Sequence, residues 1–142
     1  MFQISVIENE IQLKSALELC YDILGQHYRE DEIYGYESWQ KRLEKYNSVL
    51  LYAHIDGNAV AAVLGRPEND DSIIIGFTAC GMEYRKQGIT GALLKQFEEN
   101  AKTLGFKYVT LGSDPDAEEF YKKNGYKVIG EANGRKILQK FL

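Results

Sequence analysis

The sequence predicts an α/β fold, with a mixed central sheet of about six to seven strands and helices on both faces, in the order β-α-α-β-β-β-α-β-α-β-β. Apolar residues recur at helical spacing across residues 89–104, directly after the β-branched apolar run of residues 72–80. Upstream, Asp56-Gly57-Asn58 separates two extended apolar runs, as a hairpin turn does. Extended and helical segments that follow one another in one chain favour a sheet covered by helices.

The first third of the chain predicts one strand and two helices. Residues 2–7 alternate enough to form the strand. Asn9 is the expected N-cap of the first helix, with Gln12 three residues on as in a capping box, and Gly25 ends that helix. Residues 26–35 are polar and aromatic and predict a loop. Four large apolar residues at helical spacing then indicate the second helix: Tyr36, Trp39, Leu43 and Tyr46.

From residue 49 onward the apolar period becomes that of strands, and most breaks fall at glycine or asparagine. The helix after the strand 72–80 is closed by Gly105, and Asn133-Gly134 is the turn before the last strand. The predicted strands are residues 49–55, 59–65, 72–80, 107–111, 126–129 and 136–141. The predicted helices of this part are residues 89–104 and 116–124.

Composition indicates a single domain, residues 1–142, and narrows the functional classes. No apolar run approaches the roughly 20 residues of a membrane span, and the N-terminal sequence has no secretory signal, so no membrane partner is expected. Cys20 and Cys80 lie in apolar segments and predict buried free thiols in a reducing cytoplasm. His27 and His54 lack partners at metal-ligand spacing, so no metal is expected. A net charge of −4 without a basic block makes nucleic acid a poor partner.

The most informative segment is residues 85–91, Arg-Lys-Gln-Gly-Ile-Thr-Gly, between the strand 72–80 and the long helix. The first N–H groups of a helix have no partner within the helix, and the helix dipole is positive at that end. A glycine-containing turn there is a suitable site for phosphate. The segment therefore predicts an anion site for a nucleotide-like pyrophosphate.

Two segments resemble the GNAT superfamily of acetyl-CoA-dependent N-acetyltransferases. The first is residues 78–94, with Arg-x-x-Gly-x-(Gly/Ala) at the start of the third helix. The second is residues 117–126, similar to the family segment A-x-x-x-Y-x-x-x-G-(F/Y). Thr90 stands where the family usually has Gly or Ala, and Met82 where Pro is common. The resemblance covers nearly the whole chain and implies the GNAT fold with acetyl-CoA as acyl donor.

The resemblance also implies which residues bind the donor. Backbone N–H groups of the turn would hold the pyrophosphate, and these belong to Arg85, Lys86, Gln87, Gly88, Ile89, Thr90 and Gly91. In this family the strand before the turn splays from the next strand, and its free backbone pairs with the pantetheine amides; here that backbone is Thr78, Ala79 and Cys80. An N–H near Cys80 would face the thioester carbonyl as an oxyanion hole. Phe120 is also counted among the donor-binding residues and is expected to pack inward.

Tyr121 corresponds to the tyrosine that points at the sulfur of acetyl-CoA, and it is the expected general acid to the CoA thiolate. The general base stays open, because residues 73–80 contain no Glu or Asp. The alternatives are a water chain and five side chains: His27, Glu30, Asp31, Glu32 and Glu83.

The acceptor is expected to be an amine of a small molecule or peptide, and the sequence does not distinguish the two. His27, Tyr28 and Tyr34 are the candidate contacts for it, and the acidic run at residues 30–32 could favour a cationic amine. The last strand, residues 136–141, could pair across a homodimer. Two alternatives are a non-catalytic acyl-CoA-binding module and a nucleotide-binding protein; the second lacks a P-loop Gly-Lys-(Ser/Thr).

Overall fold

A computed structural model describes all residues from 1 to 142 and contains seven strands and four α-helices. The strands are β1 (Gln3–Val6), β2 (Leu50–Ile55), β3 (Asn58–Pro67), β4 (Ser72–Cys80), β5 (Tyr108–Ser113), β6 (Lys127–Ala132) and β7 (Arg135–Phe141). The helices are α1 (Glu10–Leu24), α2 (Tyr36–Tyr46), α3 (Ile89–Thr103) and α4 (Pro115–Lys123). The predicted α/β class and element order are confirmed.

Helix α1 begins and ends where its sequence predicts. The side chain of Asn9 accepts a hydrogen bond from the Gln12 N–H at 2.9 Å, and the Gln12 side chain accepts one from the Glu8 N–H at 2.7 Å. The first bond satisfies a donor that a helix N-terminus otherwise leaves unpaired, and the second ties the residue before the N-cap to the first turn. At the other end, Gly25 has φ 145° and donates its N–H to the Tyr21 carbonyl.

The seven strands form one sheet in the order β1-β2-β3-β4-β5-β7-β6. All neighbouring pairs are antiparallel except β4 and β5. Strand β7 pairs with β5 on one side and with β6 on the other. The expectation that residues 136–141 could pair across a dimer is therefore wrong, because both edges of this strand are already used. The outermost strands of the sheet are β1 and β6.

Each face of the sheet has its own apolar core. Helices α1 and α2 cover one face, where Trp39, Phe77 and Leu17 are buried. Helix α3 covers the other, with Phe97 buried against Ile73. Tyr121 of α4 joins this second core. None of the helices has both the length and the apolar character that crossing a membrane requires.

A break in pairing between β4 and β5 shapes the centre of the sheet. The two parallel strands pair only at Ser72↔Tyr108, Ile73↔Val109 and Ile74↔Thr110, although both continue further. On its other edge β4 stays paired with β3 up to Cys80, with an irregularity at Gly76. From residue 75 onward the two strands diverge, which leaves one edge of β4 free.

Candidate active site

The divergence of β4 and β5 opens a cleft of about 760 Å³ at the centre of the molecule. Its walls are the free edge of β4, the C-terminal end of β5, the turn into α3, the inner side of α4 and the segment after α1. A second cavity, of about 550 Å³, lies between β1 and α3. The cleft brings together segments that are far apart in the sequence.

The start of α3 presents unpaired backbone donors to this cleft. Gly88 is the N-cap, with φ 77°, and no side chain caps the helix. The first intrahelical bond runs from the Ala92 N–H to the Gly88 carbonyl, so the N–H groups of Ile89, Thr90 and Gly91 have no helical acceptor. A methyl group built on Gly88 or Gly91 meets no atom within 4 Å. The turn is therefore open to a ligand, and its donors suit an anion.

The free edge of β4 supplies a second row of backbone groups. The Gly81 N–H donates to the Val60 carbonyl of β3 at 2.8 Å. Because backbone groups alternate in direction along a strand, those of Cys80 and Thr78 point to the opposite edge, into the cleft. The Cys80 carbonyl already accepts a hydrogen bond from the Arg85 side chain at 3.3 Å. An extended ligand could pair with this edge as an added strand does.

Tyr121 reaches the cleft from α4 and is 7% exposed. Burial raises the pKa of its phenol, and the Thr78 side chain and the charge of Arg135 offset only part of that rise. The phenol is therefore protonated at neutral pH and can donate a proton into the cleft. Phe120, its neighbour, was expected to pack inward, but it is 37% exposed and lines the cleft. Successive helical residues point about 100° apart, so the two rings cannot share one direction.

Most of the residues predicted for the site line this cleft. They are Tyr28, Tyr34, Thr78, Cys80, Arg85, Lys86, Gly88, Ile89, Thr90, Gly91, Phe120 and Tyr121. Three predicted residues lie outside its lining: Ala79 is buried in the core on the α1 face, Gln87 is exposed, and His27 packs on the Tyr28 ring. Cys20 is buried as expected. The same expectation for Cys80 is wrong, because this thiol is half-buried at the cleft wall.

The sequence did not indicate the polar residues at the β5 end of the cleft. Asp114 is the only carboxylate among the lining residues, and its Oδ1 accepts a hydrogen bond from the Arg135 Nε at 3.0 Å. None of the carboxylates suggested as a general base, at positions 30, 31, 32 and 83, lines the cleft. Asp114 directly precedes Pro115 at the N-terminus of α4, a position that also suits an ordinary helix start.

Comparison with known proteins identifies this architecture. The description "Acetyltransferase (GNAT) domain" belongs to the family model that matches residues 22–138. The chain belongs to the GNAT acetyltransferase family. The resemblance seen in its two sequence segments is thereby confirmed. As a GNAT protein it is an acyl-CoA N-acyltransferase, and acetyl-CoA is its acyl donor.

Solved GNAT structures share the fold at low sequence identity. PaiA N-acetyltransferase from Thermoplasma acidophilum, in complex with coenzyme A, is 20% identical, with a TM-score of 0.79 over 100% of this chain and 99% of that one. The NatC complex bound to Gag peptide and CoA is 16% identical, with a TM-score of 0.79 over 99% of this chain and 98% of that one. N-acetylglutamate synthase from Neisseria gonorrhoeae, complexed with coenzyme A and N-acetyl-glutamate, is 15% identical. Its TM-score is 0.75, over 100% of this chain and 35% of that one. The cleft of this GNAT domain has the free strand edge and open helix N-terminus that a long anionic thioester requires.

Proposed function

We propose that this acetyltransferase moves the acetyl group directly from acetyl-CoA to a primary amine, with Tyr121 as general acid. The observation that carries the proposal is the position of Tyr121: its phenol is buried, protonated and adjacent to Thr78 on the free edge of β4. Acetyl-CoA supplies an activated acyl carbon and a sulfur that leaves as a thiolate. Tyr121 holds the proton which that thiolate needs.

The donor's pyrophosphate is assigned to the turn of residues 85–91. The unpaired N–H groups of Ile89, Thr90 and Gly91 face it, and Gly88 allows it to approach the backbone closely. Arg85 and Lys86 are exposed at this turn and add positive charge. The pantetheine amides are assigned to the backbone of Thr78 and Cys80, in the manner of an added strand. Holding both substrates in one cleft supplies much of the rate by proximity.

The amine must lose a proton before it attacks, and the cleft offers few acceptors for it. Asp114 is the single carboxylate in the lining, and Arg135 already pairs with it. The proton therefore leaves to Asp114 or to water, and none of the five side chains suggested from the sequence is retained, because none of them lines the cleft. No covalent enzyme intermediate is needed, and the half-buried Cys80 has no histidine hydrogen-bonded to its sulfur.

The acceptor is an amine of a small molecule or a peptide. The solved relatives include one with a peptide and one with a small amino-acid product, so similarity alone favours neither. Tyr28 and Tyr34 line the acceptor side, where both rings pack on Phe77. The two unpaired cysteines suit a reducing cytoplasmic location. A homodimer stays a prediction, and β6 is the strand whose edge is free at that end of the sheet.

The test is release of CoA from acetyl-CoA with a panel of primary amines, on wild type and Tyr121→Phe. We expect kcat to fall about 10²-fold in the variant, because a positioned general acid contributes that much, with little change in the KM for acetyl-CoA. Tyr108→Phe is the matched control, since Tyr108 packs on Phe141 outside the cleft. Equal kcat in wild type and Tyr121→Phe would remove the assigned role. Tight acetyl-CoA binding without turnover on any amine would favour a binding module instead.

A further inference from the structure

Two arginines, Arg42 and Arg66, have no assigned role in acetyl transfer. Neither lines the cleft itself, but Arg66 contacts Tyr34, which does. Arg66 lies near the end of β3 and pairs in register with Ile74 of β4. Its Nε donates a hydrogen bond to the Tyr34 hydroxyl at 3.2 Å, and its guanidinium lies 5.4 Å from the centre of the Tyr34 ring. Arg42, on α2, lies 4.4 Å from the centre of the Trp39 ring. Each guanidinium is thus positioned by an aromatic side chain.

Neither arginine has a carboxylate partner. The ion pairs of the molecule involve Arg29, Arg135 and four lysines, but not Arg42 or Arg66. The Nη1 atom of Arg42 is buried without any hydrogen-bond partner. Burial and the nearby charge of Arg66 lower the pKa of Arg42. The Tyr34 and Trp39 rings that carry the two arginines lie 6.1 Å apart between centroids. Two like charges on neighbouring rings repel each other, and an anion between them would offset that repulsion.

The pair is connected to the cleft through Tyr34 and β4. Tyr34 lines the cleft and its hydroxyl contacts Arg66. Ile74, the register partner of Arg66, also lines the cleft. Thr78, beside Tyr121, is four residues further along β4, which is about 13 Å at the rise of a strand. An anion bound by the arginines would therefore lie roughly that far from the reacting end of the cleft.

We propose that the acceptor amine carries a distant oxyanion, a carboxylate or a phosphate, that Arg42 and Arg66 bind. Guanidinium groups bind both oxyanions through paired charge-assisted hydrogen bonds. Such an anion neutralises the repulsion between the two charges. The anion and the amine then stand at opposite ends of the acceptor side, which selects an elongated substrate. This inference rests on the proposed function and names its substrate class.

Turnover of matched amines tests the proposal. The acceptors are ω-amino carboxylates from 4-aminobutanoate to 8-aminooctanoate, the aminoalkyl phosphates of the same lengths, and the plain alkylamines. We expect kcat/KM to be at least about tenfold higher for anionic acceptors of sufficient length, as charged hydrogen bonds allow. Arg42→Gln and Arg66→Gln should each remove that preference, with the KM for acetyl-CoA unchanged. Lys41→Gln, the same charge change on an exposed residue of α2, should preserve it.

Binding without turnover is read from Trp39, the only tryptophan in the chain and the ring that Arg42 covers. Its fluorescence should change on titration with 8-aminooctanoate or the phosphate analogue, and not with octylamine. Comparison of the two anions decides which oxyanion is preferred. If no amine is acetylated but Trp39 still reports anion binding, the proposed function fails and the anion site stands. An unchanged anion preference in Arg66→Gln variants that melt like wild type would overturn the anion site.

Discussion

Two residues of the turn into α3 have left-handed backbone, Lys86 with φ 65° and Gly88 with φ 77°. This conformation costs little for glycine but is uncommon for lysine. At Gly88 it directs the N–H groups of the first helical turn into the cleft. A Cβ at Gly88 meets open space in the free protein, so a steric requirement for glycine there arises only when a ligand is bound.

Replacement of Gly88 by alanine separates the cost of the positive φ from the steric contact with a bound ligand. We expect Gly88→Ala to lose about 1–2 kcal/mol of unfolding free energy, because φ is positive, and to raise the Kd for acetyl-CoA about tenfold, equal to about 1.4 kcal/mol. The matched control is Gly57→Ala, in the turn between β2 and β3, where φ is 83° and a Cβ also meets no atom. The control should lose similar stability and bind acetyl-CoA normally. Equal binding by both variants would contradict the pyrophosphate assignment.

For single residues, the sequence predicted the positions that local motifs bring to the cleft. Residues 85–91 and Tyr121 lie in motifs with fixed spacing, and they line the cleft except for Gln87. Phe120 lines the cleft as predicted, but the expected inward packing was wrong, because its position on the helix lies about 100° from that of the buried Tyr121. Arg42 and Arg66 could not be found, because only the packing of α2 on the sheet brings the rings that carry them, Trp39 and Tyr34, together.

Strand β4 is the element on which the site depends, and Gly76 is its critical position. The register of β3 and β4 shifts between Leu64 and Gly65, which leaves Gly76 outside the regular pairing. Ile73 and Ile75 join the core under α3, whereas Phe77 and Ala79 join the core under α1 and α2. The irregularity therefore changes which face of the sheet each side chain reaches, and it turns Thr78 and Cys80 towards the cleft.

Gly76→Ala should disturb the acceptor side in particular. A Cβ at Gly76 would lie 2.9 Å from the Tyr34 ring and 3.2 Å from the Trp39 ring. Such overpacking costs about 1–3 kcal/mol of stability, measured by urea unfolding. Because Tyr34 must move, we expect the acceptor KM to rise more than the acetyl-CoA KM. Gly130→Ala in β6, where a Cβ meets nothing, is the control and should change neither. Wild-type stability in Gly76→Ala would contradict the packing described.

The extents of the elements followed closely from periodicity and turn residues. The strand predicted at 72–80 is Ser72–Cys80, and the helix predicted at 89–104 is Ile89–Thr103. The predicted loop at 26–35 instead contains a short 3-10 helix, Gln26–Glu30. Its Tyr28 ring lies 5.4 Å from Phe77 of β4. Contacts with a distant strand position this turn, and a local pattern does not report them.

The arrangement of the whole sheet was less accessible from sequence than its parts. Strand β7 lies between β5 and β6, although β6 comes first in the chain. The burial pattern explains the order: β6 is exposed along its length, whereas Leu138 of β7 is fully buried. The more apolar strand takes the inner position. The cleft likewise depends on tertiary structure, because it forms where β4 and β5 stop pairing.

The two cores make the stability of the whole molecule sensitive to alkaline pH. Burial raises the pKa of the Cys20 thiol on the α1 face above 9.0. On the α3 face, burial also raises the pKa of Tyr126 above 10.0, and the Glu98 carboxylate adds to the rise. The Tyr126 hydroxyl donates to Glu98 at 2.8 Å, and Lys140 pairs with the same carboxylate. Each group keeps its proton in the folded protein at a pH where the unfolded chain releases it.

The free energy of unfolding should therefore be constant with respect to these groups below pH 9 and fall above it. The unfolded chain releases the Cys20 proton from about pH 9 and the Tyr126 proton from about pH 10. Above its onset, each group lowers the unfolding free energy by about 1.4 kcal/mol per pH unit, because the unfolded state then binds one proton fewer than the folded state. Urea unfolding between pH 7 and 11 measures the slope. Cys20→Ala should remove the decline between pH 9 and 10, and Tyr126→Phe should make the slope above pH 10 shallower. A flat wild-type profile, or identical slopes in all three proteins, would show that these groups ionise equally in both states.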